Sequence, residues 1–489
     1  MEFRSIIRIV GMLIGLFSLT MLPPVVIAYF YGNSVGGGGG RDFFVAFLMT
    51  LLIGFILWMP NRHSKKELKV REGFLIVVLF WATLGSVGAI PFLLSSSIEM
   101  NIASAFFESF SGLTTTGATV IEDLDDLPKA FLFYRQMLQW FGGMGIIVLA
   151  VAVLPMLGIG GMQLYRAETP GPVKDSKMTP RIAETAKALW YVYLCLTVAC
   201  MLAFWLAGMS LFDALGHSFS TVSIGGFSTY NDSMGHFDSD IINFITVLFL
   251  LISGVNYALH FTAFSAKKFS FNIYKEDPEV RAFIFIQVFV TAICFTMLIN
   301  HNVYETIEHT FSQALFQSVS ISTTAGFTTT SFADWPLFLP VLLVLSSFIG
   351  GCAGSTGGGL KVIRILLLNL QGMRELKRLV HPKAVYKIKL GNKALPDRVI
   401  EAVWGFFSTY ALVFIICMLA LLMTGMDELS SFSATIAMLN NLGPGLGEVA
   451  VHFNEVSSAS KWVMVVAMLF GRLEIFTLLV LFTPVFWKN

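Results

Sequence analysis

The sequence predicts an all-α integral membrane protein. Its expected architecture is four tandem helix–pore loop–helix repeats around a central pore, preceded by an N-terminal pair of transmembrane helices. Three observations carry this expectation. Of 489 residues, 55% are hydrophobic and 13% charged, about half the charged fraction of an average soluble domain. The apolar residues gather into runs near 20 long (74–94, 188–206, 282–299, 403–423 and 462–486), each able to cross about 30 Å of hydrocarbon as a helix. Finally, one segment type recurs four times along the chain, with closing glycines at 117, 226, 326 and 443.

At the N-terminus, Arg4 and Arg8 precede an apolar run that passes Pro23 and reaches Tyr31 without a small-residue cleavage site, so no cleavable signal peptide is expected. The five cysteines (Cys195, Cys200, Cys294, Cys352 and Cys417) fall in apolar segments. They read as small core side chains rather than a disulfide framework. A net charge of +1 says nothing about partners, but the placement of the charges does.

Basic residues bunch into four stretches between apolar runs, at 61–72, 165–181, 267–281 and 374–398. Assigning these and both termini to the cytoplasm leaves Arg41, Lys129, Arg135 and Lys461 on the outer side. Lys361 and Arg472 then lie at membrane depth. The positive-inside rule orients the chain accordingly. The first helix pair, about 9–31 and 42–60, is joined by a Gly-rich turn at 36–40. The expected units are this pair (1–70), pore repeats at 71–165, 182–266, 281–372 and 399–489, and a cytoplasmic basic loop at 373–398.

The outer connections of the four repeats align without a gap as AFFESFSGLTTTG, ALGHSFSTVSIGG, ALFQSVSISTTAG and SFSATIAMLNNLG. Each has a hydroxyl residue eight before its final glycine: Ser109, Ser218, Ser318 and Thr435. Three have another six before it: Ser111, Ser220 and Ser320. Ordinary external loops would not repeat this register four times. The segments read as re-entrant loops, a helix of about nine or ten residues that goes half-way into the bilayer and an extended return. Non-helical backbone at that depth is tolerable only against protein or water. A ring of such carbonyls can replace an ion's hydration shell. Helix C-terminal ends aimed at the ring favour a cation over an anion.

Two further features stand out. The inward helix of the third repeat contains Gly350, Gly351, Gly354, Ser355, Thr356, Gly357, Gly358 and Gly359. Glycine costs about 1 kcal/mol against alanine inside a helix, so this stretch should break the helix in mid-membrane. A close helix–helix contact is the competing reading. A phosphate loop is not, because no Lys-Ser/Thr follows the last glycine. Arg472 lies within the last apolar run, where a charge costs at least about 2.5 kcal/mol and faces the bundle interior. It reads either as a structural partner of a pore-helix end or carboxylate, or as part of a barrier to cations. Glu474 is a poor partner for it, since two residues apart means opposite helix faces.

The segments FFESFSGLTTTGAT, FYRQMLQWFGGMGIIVLAVAVLP, STTAGFTTT, FIGGCAGSTGGGLKVIRILLL, LNNLGPGLG and LFGRLEIFTLLVLFTP resemble the Trk/Ktr/HKT superfamily of potassium transport proteins, its bacterial Trk membrane subunits in particular. The likeness runs over essentially the whole chain. It implies uptake of K+ and Rb+ across the bacterial inner membrane, with filter glycines at Gly117, Gly226, Gly326 and Gly443. The ion would be held by backbone carbonyls beside them, at Thr115 and Thr116, Ile224 and Gly225, Thr324 and Ala325, and Asn441 and Leu442. Ile, Ala and Leu side chains cannot ligate a cation, so the shared chemistry must be main-chain. Four unlike strands also predict a less uniform filter than that of a tetrameric channel. The resemblance further implies that the Gly-rich loop obstructs the pore below the filter and that Arg472 contributes to the constriction.

No Walker loop or dinucleotide fingerprint is present, so nucleotide control would come from another chain. The resemblance implies docking to a peripheral nucleotide-binding, TrkA-like subunit, assembly as a homodimer in lipid, no organic cofactor and no nucleic-acid partner. KAVYKIKLGNK (383–393) suggests a small cytoplasmic hairpin. Two other function classes fit the sequence less well. A proton-coupled symporter working by alternating access usually carries inverted repeats, whereas these four run in one orientation. An intramembrane enzyme would need paired catalytic groups, and no HExxH, GxSxG or aspartate pair falls within the spans.

Overall fold

The computed structural model describes residues 1–32, 39–64, 70–145, 182–265, 270–391 and 393–488. The expected basic stretch at 165–181 and the end of the first repeat, at 146–165, lie outside these residues. The regular elements of the described residues are helices apart from two-residue strands Lys389–Leu390 and Lys393–Ala394, which pair antiparallel at the expected hairpin.

The N-terminal pair forms two spans, Phe3–Tyr31 and Gly40–Asn61. They cross at small residues: a Cβ placed on Gly54 would lie 2.7 Å from the Gly15 nitrogen. Such a contact lets dispersion and backbone packing hold helices together where lipid supplies no hydrophobic drive. Four more uninterrupted spans, Arg71–Leu94, Lys187–Leu206, Pro278–Asn300 and Asp397–Met423, are the outward helices of the four repeats. Their bounds agree with the apolar runs.

Each outward helix leads to a short pore helix: Ile102–Leu113, Leu211–Val222, Ile307–Ser322 and Glu428–Asn440. Each begins on a side-chain cap, supplied by Asn101, Ser210, Thr306 and Asp427. These caps satisfy first-turn amides that have no helical partner. The pore helices run 12, 12, 16 and 13 residues, somewhat longer than expected. At 1.5 Å per residue they still stop well short of a bilayer crossing.

The inward helices differ most from expectation. A break was expected in the third repeat alone, yet all four are interrupted. In the first, Lys129–Trp140 gives way to a π-helical segment, Phe141–Gly145. The second turns 92° between Asp240–Ser253 and the following helix that starts at Tyr257. The third stops at Ser346 and resumes only at Val362. The last apolar run is not one straight span either: Ser458–Arg472 and Phe476–Phe482 meet at 106°. Glycines at 142, 143, 254 and 471 mark the other three breaks. Each such site is short enough to pass for an isolated helix glycine.

Two of the residues assigned to the outer side of the membrane by charge alone are buried within the protein. Arg135 and Lys461 are 1% and 2% exposed, with Arg135 paired to Glu108 at 2.6 Å and Lys461 donating to Ser104 Oγ and the Asn454 carbonyl. A charge count places a segment on a side of the membrane but does not say whether the side chain meets water. Cys200, Cys294, Cys352 and Cys417 are buried, Cys195 is exposed, and all five are free thiols.

Candidate functional site

The four pore helices end in the same turn. The amides of Thr116, Gly225, Ala325 and Leu442 each donate to the carbonyl five residues back, on Ser111, Ser220, Ser320 and Ala437, at 2.7–2.8 Å. One residue earlier, Thr115, Ile224, Thr324 and Asn441 all take positive φ, at 56°, 55°, 71° and 54°. A left-handed non-glycine costs on the order of 1–3 kcal/mol, and for the β-branched Thr and Ile it is a genuine outlier. Its recurrence at one register of four unlike sequences marks a backbone shape imposed by the fold.

The following glycines, Gly117, Gly226, Gly326 and Gly443, have φ of 81°, 80°, 79° and 98°. Their lack of a side chain is required twice, by φ and by space. A Cβ on Gly117 would lie 2.1 Å from the Gly225 oxygen, one on Gly226 2.0 Å from the Ala325 oxygen, and one on Gly326 2.1 Å from the Leu442 oxygen. The circuit closes with Gly443, whose Cβ would lie 2.7 Å from the Thr116 oxygen. Carbonyl and glycine thus alternate around a single ring, in chain order from the first repeat to the fourth and back. All twelve loop residues singled out in the sequence come together here.

The side chains at this ring are engaged with one another. The Thr116 hydroxyl meets Thr114 Oγ1 and accepts from Asn441 Nδ2, and Asn441 Nδ2 also reaches the Met468 carbonyl. Ile224, Ala325 and Leu442 offer no polar side-chain atom, and all three are buried. What the four strands share is therefore carbonyl oxygen.

The Gly-rich segment of the third repeat runs directly beneath this ring and bonds to the pore-helix ends of the second, third and fourth repeats. Thr356 Oγ1 donates to the Val222 carbonyl at 3.0 Å, and the Gly358 amide to Thr324 Oγ1 at 2.7 Å. The Gly359 amide donates to the Asn440 carbonyl at 3.1 Å. Gly350, Gly354 and Gly359 have φ of 65°, 77° and 71°, so the segment is an irregular loop rather than a flush helix contact. The second break is laced to it, with Cys352 N donating to Gly254 O at 2.8 Å and Tyr257 N to Gly354 O at 3.1 Å.

Arg472 completes this floor. Its guanidinium donates to Thr115 Oγ1 at 3.2 Å, to the Thr356 carbonyl at 3.3 Å, to the Gly143 carbonyl at 2.7 Å and to the Gly142 carbonyl. One side chain thus joins the breaks of the fourth and first repeats to the loop of the third. The helix ends at Arg472, so reasoning from helix faces does not govern Glu474. That carboxylate forms an ion pair with Arg364.

The cation transport protein family model for TrkH matches residues 39–488. The chain belongs to the TrkH family of cation transport proteins. Among TrkH-family relatives, the Trk system potassium uptake protein TrkH of Vibrio parahaemolyticus is 68% identical over the full length of both chains. The Escherichia coli TrkH is 64% identical, also over both full lengths. The Escherichia coli paralogue TrkG is 41% identical over 99% of each. The crystal structure of the potassium transporter TrkH from Vibrio parahaemolyticus superposes with a TM-score of 0.90 at 65% identity, covering both chains fully.

Sequence reasoning missed several residues of this TrkH-family site. Lys361 follows the loop at φ 78°, and its ammonium donates to the Gly357 carbonyl. Glu279, at the start of the third outward helix, accepts from the amides of Ala353 at 2.7 Å and Ile363 at 3.1 Å. One carboxylate therefore binds the chain on both flanks of the loop. The signal for Lys361 was its position at the end of the glycine run. Nothing local marked Glu279, whose two partners are 74 and 84 residues away. Asn256 and His260 satisfy neighbours: Asn256 Oδ1 accepts from Ala258 N, and His260 meets Tyr274 Oη and the Ile252 carbonyl.

Proposed function

We propose that this membrane protein takes up potassium through a pore whose selectivity ring is the backbone of residues 115–117, 224–226, 324–326 and 441–443. The observation that carries the proposal is the closed alternation of four carbonyls and four glycines. Such a ring offers an incoming cation oxygen ligands in place of water. The C-terminal ends of four pore helices converge on it and add partial negative charge. Names of the relatives agree in kind, since both TrkH and TrkG are potassium uptake proteins. The ring treats K+ and Rb+ alike and rejects Na+ less sharply than four identical strands would.

Residues Gly350, Gly351, Gly354, Ser355, Thr356, Gly357, Gly358 and Gly359 act as the gate, with Arg472 as its positive barrier. Support comes from the loop's position across the ring's inner side, its bonds to the second, third and fourth repeats, and its tie to the first through Arg472. Opening means breaking a handful of bonds to carbonyls and hydroxyls, which a cytoplasmic nucleotide-binding, TrkA-like subunit acting on the helix Val362–Val380 could drive. The setting is the bacterial inner membrane with both termini inside, and the protein works as a homodimer.

Rubidium uptake by potassium-transport-deficient cells tests the reading. Wild-type protein restores uptake, and Gly326→Ser reduces discrimination against sodium. Restoration with unchanged discrimination in Gly326→Ser refutes the ring. Broken helices also occur in alternating-access carriers, but the common orientation of the four repeats favours a pore. Discrete single-channel openings in reconstituted protein separate a pore from a carrier.

A further inference from the structure

The second repeat is the odd one at the ring. The residue just before the loop glycine is Thr116, Ala325 or Leu442 in the other three repeats but Gly225 here. Its backbone is not strained, since Gly225 is absent from the positive-φ residues, so conformation alone does not call for glycine. Two consecutive glycines also leave this strand the least restrained of the four.

The space a side chain would take is already filled. A Cβ on Gly225 would lie 2.5 Å from Cδ, 2.6 Å from Oε1 and 2.9 Å from Nε2 of Gln139, a residue of the first inward helix. Gln139 is fully buried, and both ends of its carboxamide are used. Nε2 donates to the Gly225 carbonyl at 2.5 Å, and Oε1 accepts from the Phe227 amide at 3.0 Å. The same helix supplies Gln136, whose Nε2 donates to the Phe227 carbonyl at 3.2 Å, and Arg135, which donates to the Ser228 carbonyl at 3.2 Å. A strand with no side chain at two successive positions is thus pinned from a neighbouring repeat.

We infer that Gln139 is the positioning residue for the second strand of the ring and a determinant of its selectivity. Its carboxamide stands in for the side chain that Gly225 lacks. The inference rests on the reading of these loops as a selectivity ring. Among the described residues, the Gly225 oxygen alone of the four ring oxygens receives a side-chain hydrogen bond. A carbonyl already holding a donor is fixed in place and presents a weaker field to an ion. Gln139 therefore sets both the geometry and the strength of one ligand in four.

The test is the K+/Na+ permeability ratio, from bi-ionic reversal potentials of the purified full-length protein in lipid bilayers. Gln139→Met keeps the bulk and removes both bonds, and should lower the ratio at least about threefold. Gly225→Ala should lower it as well, by pushing the carboxamide off its partners. In a Gln139→Ala background, Gly225→Ala should add little further loss, because the methyl then displaces no carboxamide. A ratio unchanged in Gln139→Met, or a full further loss from Gly225→Ala in the Gln139→Ala background, overturns the inference. Gly326→Ser serves as the control. If it changes the ratio while Gln139→Met does not, only the role of Gln139 falls. If neither changes it, the ring reading falls with it. Elution of each variant as the wild-type assembly separates a selectivity change from misfolding.

Discussion

At the ring, the four glycines are not equally constrained. Gly117, Gly226 and Gly326 each sit with 2.0–2.1 Å between a hypothetical Cβ and a neighbouring carbonyl oxygen, whereas Gly443 has 2.7 Å. Overpacking a tight site forces backbone shifts, here of the carbonyls that form the ring. Serine at any of the first three should therefore cost more K+/Na+ discrimination than serine at Gly443 does. Equal losses at all four, measured as competition of Na+ with Rb+ uptake, would contradict this. Behind the ring, Glu108 accepts from Arg135, Thr119 and the Val120 amide while itself fully buried. Removing one partner of a buried pair typically costs about 3–5 kcal/mol, because the other charge is left uncompensated. Glu108→Ala should thus lower thermal stability in detergent more than the double replacement Glu108→Leu/Arg135→Leu. The reverse order would show that the pair is dispensable.

Among the elements, the third inward helix holds the longest interruption, and its bonds define how it could move. Arg472 and Glu279 approach the loop from different helices. Arg472 holds its middle at the Thr356 carbonyl, and Glu279 holds the amides of Ala353 and Ile363. Arg472→Ala, or removal of two or three of the glycines at 357–359, should raise Rb+ flux in correctly inserted protein. Unchanged or lower flux would remove the loop from the gating role. Glu279→Gln keeps an acceptor oxygen but loses the charge that strengthens its bonds to backbone amides. It should raise flux less than Glu279→Ala does. The break itself was legible in the sequence because six glycines fall within ten residues. The shorter breaks at Phe141–Gly145, after Ser253 and after Arg472 were not. One or two glycines in an apolar run are common in membrane helices, and only packing against the pore-helix ends distinguishes these. A Cβ on Gly142 would lie 1.8 Å from the Leu113 carbonyl, and one on Gly471 2.3 Å from the Leu439 carbonyl.

Over the whole molecule, pseudo-symmetry and its defects have different origins. The fourfold ring was readable because its register repeats in the sequence and its physics is main-chain. Gly117, Gly226, Gly326 and Gly443 could be aligned without knowing any contact. The supports around the ring differ repeat by repeat, and they depend on partners far apart in the chain: Gln139 on the second strand, Asn441 on Thr116, Gly358 on Thr324. No periodicity announces such pairs. The outer connection of the first repeat adds Glu122, Asp123, Asp125 and Asp126 within nine residues of Gly117. With Glu99, three of these line a cavity of about 370 Å³. Charge of one sign in a cleft raises the local concentration of the opposite ion and is screened within about 10 Å at 0.1 M salt. Neutralising Glu122, Asp123 and Asp126 together should slow Rb+ uptake at low ionic strength and leave it nearly unchanged at high. Loss at both salt concentrations would point to a structural role instead. The central claim is that four unlike strands share one selective backbone ring. It is tested most directly by the bi-ionic reversal potential of purified protein carrying Gly326→Ser. A shift toward equal K+ and Na+ permeability is expected; a reversal potential identical to that of the wild type would contradict it.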